Sequence, residues 1–186
     1  ALELYRVYGI TFKRGVFTNL APEHLDFHKT MENYLDAKMK LFDMSEYALI
    51  NGDDIYAPKI IKRLKTKYAT YGLDNAVNIT ATDIRVNSSN IQFKMYVNKM
   101  LETLLVKIPG KFTVYNALAA IGITSFLNCQ MDAIILALAN VVVPGRCETV
   151  ETGKNFSVII DYAHNPSSME AILTSIKKFA KGRIIT

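Results

Sequence analysis

The sequence predicts an α/β fold built on a mostly parallel sheet, and three observations predict it. Short apolar runs alternate with helical patterns twice within the first 65 residues. The same alternation restarts after residue 150. Between the two lies a long stretch of Thr, Ile, Val, Phe and Tyr in near alternation.

The elements follow in order. Gly15–Leu20 (GVFTNL) is a short apolar run ending in Asn, suited to a buried strand. A polar, His-containing turn comes next. Thr30 is a good N-cap, with Glu32 in the first turn, for a helix through about Phe42. Tyr47–Asn51 (YALIN) predicts a second buried strand and Asp53–Lys65 a second helix. From Asn78 to Ile108 the alternation, broken by Asn87–Asn90 (NSSN), predicts a hairpin or meander at the edge of the domain. Helical periodicity returns in Phe112–Leu127 and Met131–Ala139. Val143–Pro144–Gly145–Arg146 then breaks the pattern. Phe156–Asp161 reads as a strand, Pro166–Ala180 as a helix and Arg183 onward as another strand, a fresh βαβ unit. The helix start has two candidates, Asn165 as N-cap before Pro166 or a Ser167–Glu170 capping box. These breaks divide the chain into residues 1–144 and 145–186.

Composition sets the class. Half of the 186 residues are hydrophobic and 21% are charged, which excludes an intrinsically disordered chain. The longest apolar runs fall far short of the ~18 residues of a membrane span. The formal net charge is +5, yet nine of the 22 basic residues sit in Lys59–Lys67 and Lys177–Arg183, late in helical patterns. Cations there favour the negative end of a helix dipole, so a solvated helix face is the simpler reading, with a polyanion site as the alternative. Two cysteines, Cys129 and Cys147, stand in no metal or redox spacing and fit a reducing cytoplasm.

The chemistry-bearing residues cluster in three places. The segment TNLAPEHLDFHKTMENYLDAK (18–38) follows a strand end, where α/β proteins place ligands. It carries His24, Asp26 and His28, followed by Lys38. Two histidines four apart can share a metal on a helix or can be ordinary polar turn residues, and the spacing alone leaves both open. The second cluster is Gly110–Ala120 (GKFTVYNALAA) with Asn116, whose amide can read an adenine edge. The third is Pro144–Gly145–Arg146 with VIIDYAHNP (158–166), where a buried strand delivers Asp161 at its carboxyl end. A ribose diol can hydrogen-bond to a carboxylate so placed.

Taken together and in this order, these motifs resemble the Mur ligase family over essentially the whole chain. The resemblance implies most of a central ATPase-type domain over 1–144 and the start of a Rossmann-like ligase domain over 145–186. It implies an ATP-dependent ligase of peptidoglycan synthesis that adds a diamino acid to a UDP-muramoyl-dipeptide through an acyl phosphate. Folylpolyglutamate synthase and cyanophycin synthetase are the nearest rival ligases, and a non-catalytic polyanion-binding domain is a rival of another class. By the resemblance, His24 lies at a magnesium site and Lys38 is carbamylated by CO2, both with catalytic roles. A carbamate makes an anionic oxygen donor of a side chain that would otherwise repel the cation. Asn116, Arg146, Asp161 and His164 would contact ATP, and Arg6 would grip the substrate. A cytoplasmic, monomeric enzyme without nucleic-acid or membrane partners is implied.

Four positions depart from the pattern. Glu23 replaces Asp, Thr113 replaces the first Asn of the second motif, and Leu4 replaces a polar residue two before Arg6. Lys29 stands where Gly is common, so the turn there is expected to avoid a glycine-only backbone conformation. The 186 residues contain no G-x-x-x-x-G-K-[ST] loop to cradle phosphates. The chain is therefore expected to be a piece of a longer protein and inactive alone.

Overall fold

The computed structural model describes residues 2–74, 77–97, 100–150 and 152–186. These fall into two compact units, one up to Thr80 and one from Ala81 onward.

The first unit is a parallel α/β layer. After a run of turns over residues 2–9 come β1 (Gly15–Phe17), α1 (Leu25–His28), α2 (Met31–Asp43), β2 (Tyr47–Asn51), α3 (Ala57–Arg63) and β3 (Lys67–Gly72). β1 pairs with β2 and β2 with β3, all parallel, in the registers Phe17↔Ile50 and Ile50↔Thr70. The parallel α/β arrangement, with β1, β2, α2 and α3, is the one the sequence predicted, while α1 forms where a polar turn was expected. β2 is buried on both faces, as its unbroken YALI run requires. Thr30 caps α2 by accepting the Asn33 N–H, and α2 buries Leu35, Met39 and Phe42, spaced at helical intervals. They meet Phe17, Ala48, Ile50 and Ile60 in one core. Truncating the fully buried Leu35 or Ile60 to Ala would cost about 2–5 kcal/mol. On the outer surface Arg63 pairs with Asp36 at 2.6 Å and Lys59 with Glu32, so part of the basic run is neutralised locally.

Four details of this unit differ from the sequence expectations. β1 stops at Phe17, and α3 starts at Ala57 rather than Asp53 because the Asp54 carboxylate captures the Tyr56 N–H in a local turn. β3 was not foreseen at all. Lys29 does adopt a glycine-favouring backbone, with φ 66 and ψ −41, contrary to the expectation that it would avoid one. It is the centre of a γ-turn closed by Thr30 N donating to His28 O at 2.8 Å, a turn of the strained, positive-φ hand. Lys29 Nζ donates to the Asp26 carbonyl at 2.7 Å, which offsets part of the cost.

β4 (Ile79–Val86) enters the second unit after its first two residues pair parallel with Tyr71 and Gly72. The meander follows as predicted: β5 (Ile91–Val97) and β6 (Met100–Val106) pair antiparallel, with Ile91↔Val106 and Phe93↔Leu104. Ile91, Phe93, Met95, Leu104 and Val106 form its buried face. α4 (Lys111–Ser125) packs against β5 and α5 (Met131–Asn140) against β6. Gly110 begins α4 at φ 116, and a Cβ there would run into the Phe112 ring, so only glycine fits. β7 (Glu148–Val150) and β8 (Val158–Ile160) pair antiparallel, and α6 (Pro166–Lys177) follows. Asn165 is its N-cap, with Pro166 in the first turn and a reciprocal box to Ser168, which decides between the two starts. The strand expected from Arg183 does not form a ladder with any described residue, because a strand exists only through its neighbour.

Candidate functional site

The three parallel strands of the first unit all end on the same side, and the loops there are fastened to one another. The two aspartates after β2 diverge. Asp53 accepts the Leu73 and Asp74 N–H groups at 2.6 and 3.3 Å, fixing the loop after β3. Asp54 accepts the Leu20 N–H at 3.1 Å, fixing the loop after β1. Asn51 adds a bond from its amide to the Thr18 carbonyl at 2.8 Å.

Lys38 reaches this loop from α2. Its Nζ donates to the Asn19 carbonyl at 3.3 Å and lies 5.1 Å from the centre of the Tyr34 ring, one helical turn earlier. The side chain is half-buried. Burial lowers its pKa, while the charges of Asp54 and Glu23 act to raise it. The same Tyr34 ring is stacked on His28 at 4.5 Å and meets His24 edge-on at 6.3 Å. Burial, then Glu23, raises the Tyr34 pKa. His24 is exposed and left-handed (φ 56) at the N-cap of α1, and His28 N–H donates to its carbonyl at 3.0 Å. The structure thus gathers His24, His28 and Lys38 around one aromatic ring. Arg6 is exposed on the opening turns, and no hydrogen bond, ion pair or ring contact joins it to His24 or Lys38 among the described residues. Its segment is held to α2 by Glu3, which pairs with Lys40 at 2.6 Å.

The second unit has its own cluster. Asp161, at the end of β8, accepts the Cys147 N–H at 2.7 Å and the Ala163 N–H at 2.8 Å, drawing the Pro144–Arg146 loop onto the DYAH turn. The Arg146 guanidinium lies 4.9 Å from the centre of the Tyr162 ring, and His164 meets the same ring edge-on at 4.9 Å. Nδ1 of His164 is 2.9 Å from the Tyr162 carbonyl. Arg146, Asp161 and His164 are therefore brought together. Asn116 is exposed on α4.

The sequence reading missed Tyr34 and Tyr162 as the centres of the two clusters. For Tyr34 a signal was present, since Tyr34 and Lys38 are four apart on a helix. Asn51 and Asp54 carried no signal, because their partners are more than 30 residues away in the chain.

Comparison with known proteins places these clusters in context. The model of the Mur ligase middle domain matches residues 1–124, and that of the Mur ligase glutamate ligase domain matches residues 145–186. The UDP-N-acetylmuramoyl-L-alanyl-D-glutamate–2,6-diaminopimelate ligase of Clostridium perfringens is 45% identical over all of this chain and 40% of its own length. A solved structure of a ligase of that name superposes with a TM-score of 0.81 at 26% identity, covering 96% of this chain and 38% of the other. The MurF ligase of Thermotoga maritima, solved in complex with ADP, superposes at 0.80 with 19% identity, covering 96% of this chain and 42% of the other. The chain spans about 40% of the length of the curated relatives it matches.

Proposed function

The chain belongs to the Mur ligase family, and from that premise we propose that it serves an ATP-dependent amide ligase of peptidoglycan synthesis. The reaction joins 2,6-diaminopimelate to UDP-N-acetylmuramoyl-L-alanyl-D-glutamate, the substrates that the relatives' names carry. ATP phosphorylates the terminal carboxylate of the muramoyl-dipeptide. The incoming amine then displaces phosphate from the acyl phosphate, leaving an amide, ADP and phosphate. One observation carries the reading: a half-buried lysine held by a main-chain carbonyl where parallel strands end, beside an aromatic ring shared with His24. Surface lysines have no need of such a seat.

Burial favours the neutral amine of Lys38, the form that can react with CO2. Its lone pair forms the N–C bond, the nitrogen releases a proton, and an anionic carbamate results. Magnesium suits what the chain offers. The described residues contain no group of three His, Cys, Asp or Glu side chains able to hold an ion by themselves. Magnesium commonly takes only one or two protein ligands and completes its shell with phosphate oxygens and water. His24 and carbamylated Lys38 would hold it, and when bound it offsets charge on the transferring phosphoryl group.

The remaining roles follow from donor chemistry. Arg6, exposed and planar, suits a substrate carboxylate or phosphate. Asn116 suits the adenine edge. The two N–H groups on Asp161 leave lone pairs of its carboxylate for ribose hydroxyls. Arg146, propped on Tyr162, and His164 beside it suit the phosphates. Residues 1–144 form the ATPase-type part in this reading and 145–186 the ligase part. The reaction runs in the cytoplasm, where ATP and the UDP-linked substrate are met.

The experiment is Lys38→Ala in a full-length ligase carrying this chain. Magnesium-dependent ligation is expected to fall by roughly 10²–10³-fold, the scale for losing one group that stabilises transition-state charge. Short carboxylates should restore part of it. An unimpaired rate would overturn the assignment.

A further inference from the structure

The main chain leaving β1 is fastened almost residue by residue. The Tyr71 hydroxyl donates to the Phe17 carbonyl at 3.3 Å, and the Asn51 amide donates to the Thr18 carbonyl at 2.8 Å. Leu20 N donates to Asp54 Oδ2 at 3.1 Å. The Asn19 carbonyl, between these anchors, receives Lys38 Nζ instead.

Asn51 and Asp54 are themselves fixed. Asn51 is 8% exposed, and its Oδ1 accepts the Asp53 N–H at 3.1 Å. The second oxygen of Asp54 accepts the Tyr56 N–H at 2.9 Å. Each side chain thus has one end in its own turn and the other on the β1 loop. Neither is hydrogen-bonded to Lys38.

We infer that Asn51 and Asp54 are positioning residues for the ligase reaction. They hold Thr18–Leu20 so that the Asn19 carbonyl receives the nitrogen of Lys38, and they act on catalysis through that lysine. The inference rests on the reading of Lys38 as the functional lysine. A carbamate on Lys38 keeps one N–H, which the same carbonyl can accept, so the seat serves both forms. A displacement of about 1 Å at a catalytic group can cost as much as 100-fold in rate, and a loop released from these anchors moves the seat itself.

The test is a double-mutant cycle in a full-length ligase carrying this chain. Asp54→Asn keeps the shape but sets an amide NH2 against an N–H. It is expected to lower kcat roughly 10- to 100-fold, with KM for ATP changed by less than about threefold, the pattern of a group acting in the transition state. In Lys38→Ala the same substitution should cost less than about twofold, because the two sites then share no effect left to lose. Equal losses in both backgrounds would mean a merely structural role and overturn the inference, as would an unchanged kcat when Lys38 is present. Should Asp54→Asn fail to fold, Asn51→Ser, too short to reach the Thr18 carbonyl, carries the same cycle. Full activity of Lys38→Ala alone would remove the reading of Lys38, and this inference with it, in a single variant that leaves Asn51 and Asp54 intact.

Discussion

The Asp161 carboxylate accepts the backbone N–H of Cys147 at 2.7 Å, fourteen residues back in the chain. With its other oxygen on Ala163 N–H, it is the clasp between the Arg146 loop and the turn carrying His164. Asp161→Ala leaves two N–H groups without their acceptor. It is expected to destabilise the folded chain by about 1.5–3 kcal/mol, the range for hydrogen bonds to a charged group. Urea unfolding measures this. If these residues hold the nucleotide as proposed, ATP affinity of a full-length ligase carrying this chain should fall further than in Arg146→Ala, which keeps the clasp.

Cys147 is 3% exposed, and burial first, then the Asp161 charge, pushes its thiol up from 9.0 to about 11. The folded state therefore holds the proton more tightly than the unfolded chain. The stability this contributes is fully present below about pH 9 and is lost as pH rises through about 11. The parent should lose stability in that window faster than Cys147→Ala, which has no thiol there to ionise. Iodoacetamide should modify the exposed Cys129 in the native protein and Cys147 only on unfolding.

Lys29→Gly should stabilise the chain. The positive-φ γ-turn costs a non-glycine residue about 1–3 kcal/mol. Against this stand the added freedom of glycine in the unfolded chain, about 0.5–1 kcal/mol, and the lost Lys29–Asp26 hydrogen bond. The expected net gain is about 0.5–1 kcal/mol, read as a raised melting temperature. Lys29→Val, β-branched, should lower it.

Thr113 is 4% exposed on α4, and its hydroxyl meets no hydrogen-bond partner among the described residues. A buried, unsatisfied hydroxyl costs about 1–3 kcal/mol. Thr113→Val is close in shape and removes it, so a gain of about 1 kcal/mol is expected in denaturant unfolding. Thr113→Ala, which leaves a void, should gain less.

Much of the fold was legible because it rests on short-range rules. Thr30 and Asn165 announced their helices by capping chemistry, and YALIN announced β2 by its unbroken apolar run. β3 (KYATYG) was not legible, since its first two residues, Lys67 and Tyr68, are exposed and only Ala69–Gly72 are buried. The start of α3 was misplaced by Asp54, which reads as a first-turn acid yet spends its carboxylate on a turn and on Leu20. Individual site residues stood out by type and order, but what gathers them did not.

The sequence by itself determined the family, the parallel α/β class, the caps and the list of chemistry-bearing residues, because motif order, periodicity and capping are written locally. Only the tertiary structure decided that Lys38 is seated on the Asn19 carbonyl, that Tyr34 joins it to His24 and His28, and that Asp161 clasps the Arg146 loop. It also decided that Lys29 bears a backbone it was expected to avoid. The physical reason is that spacing along the chain names neighbours but not partners. Lys38 and Asn19 are 19 residues apart and Asp161 and Cys147 are 14 apart, and only the folded main chain brings each pair within hydrogen-bond distance; at Lys29 the hydrogen bond that closes the turn, not the residue type, sets the backbone.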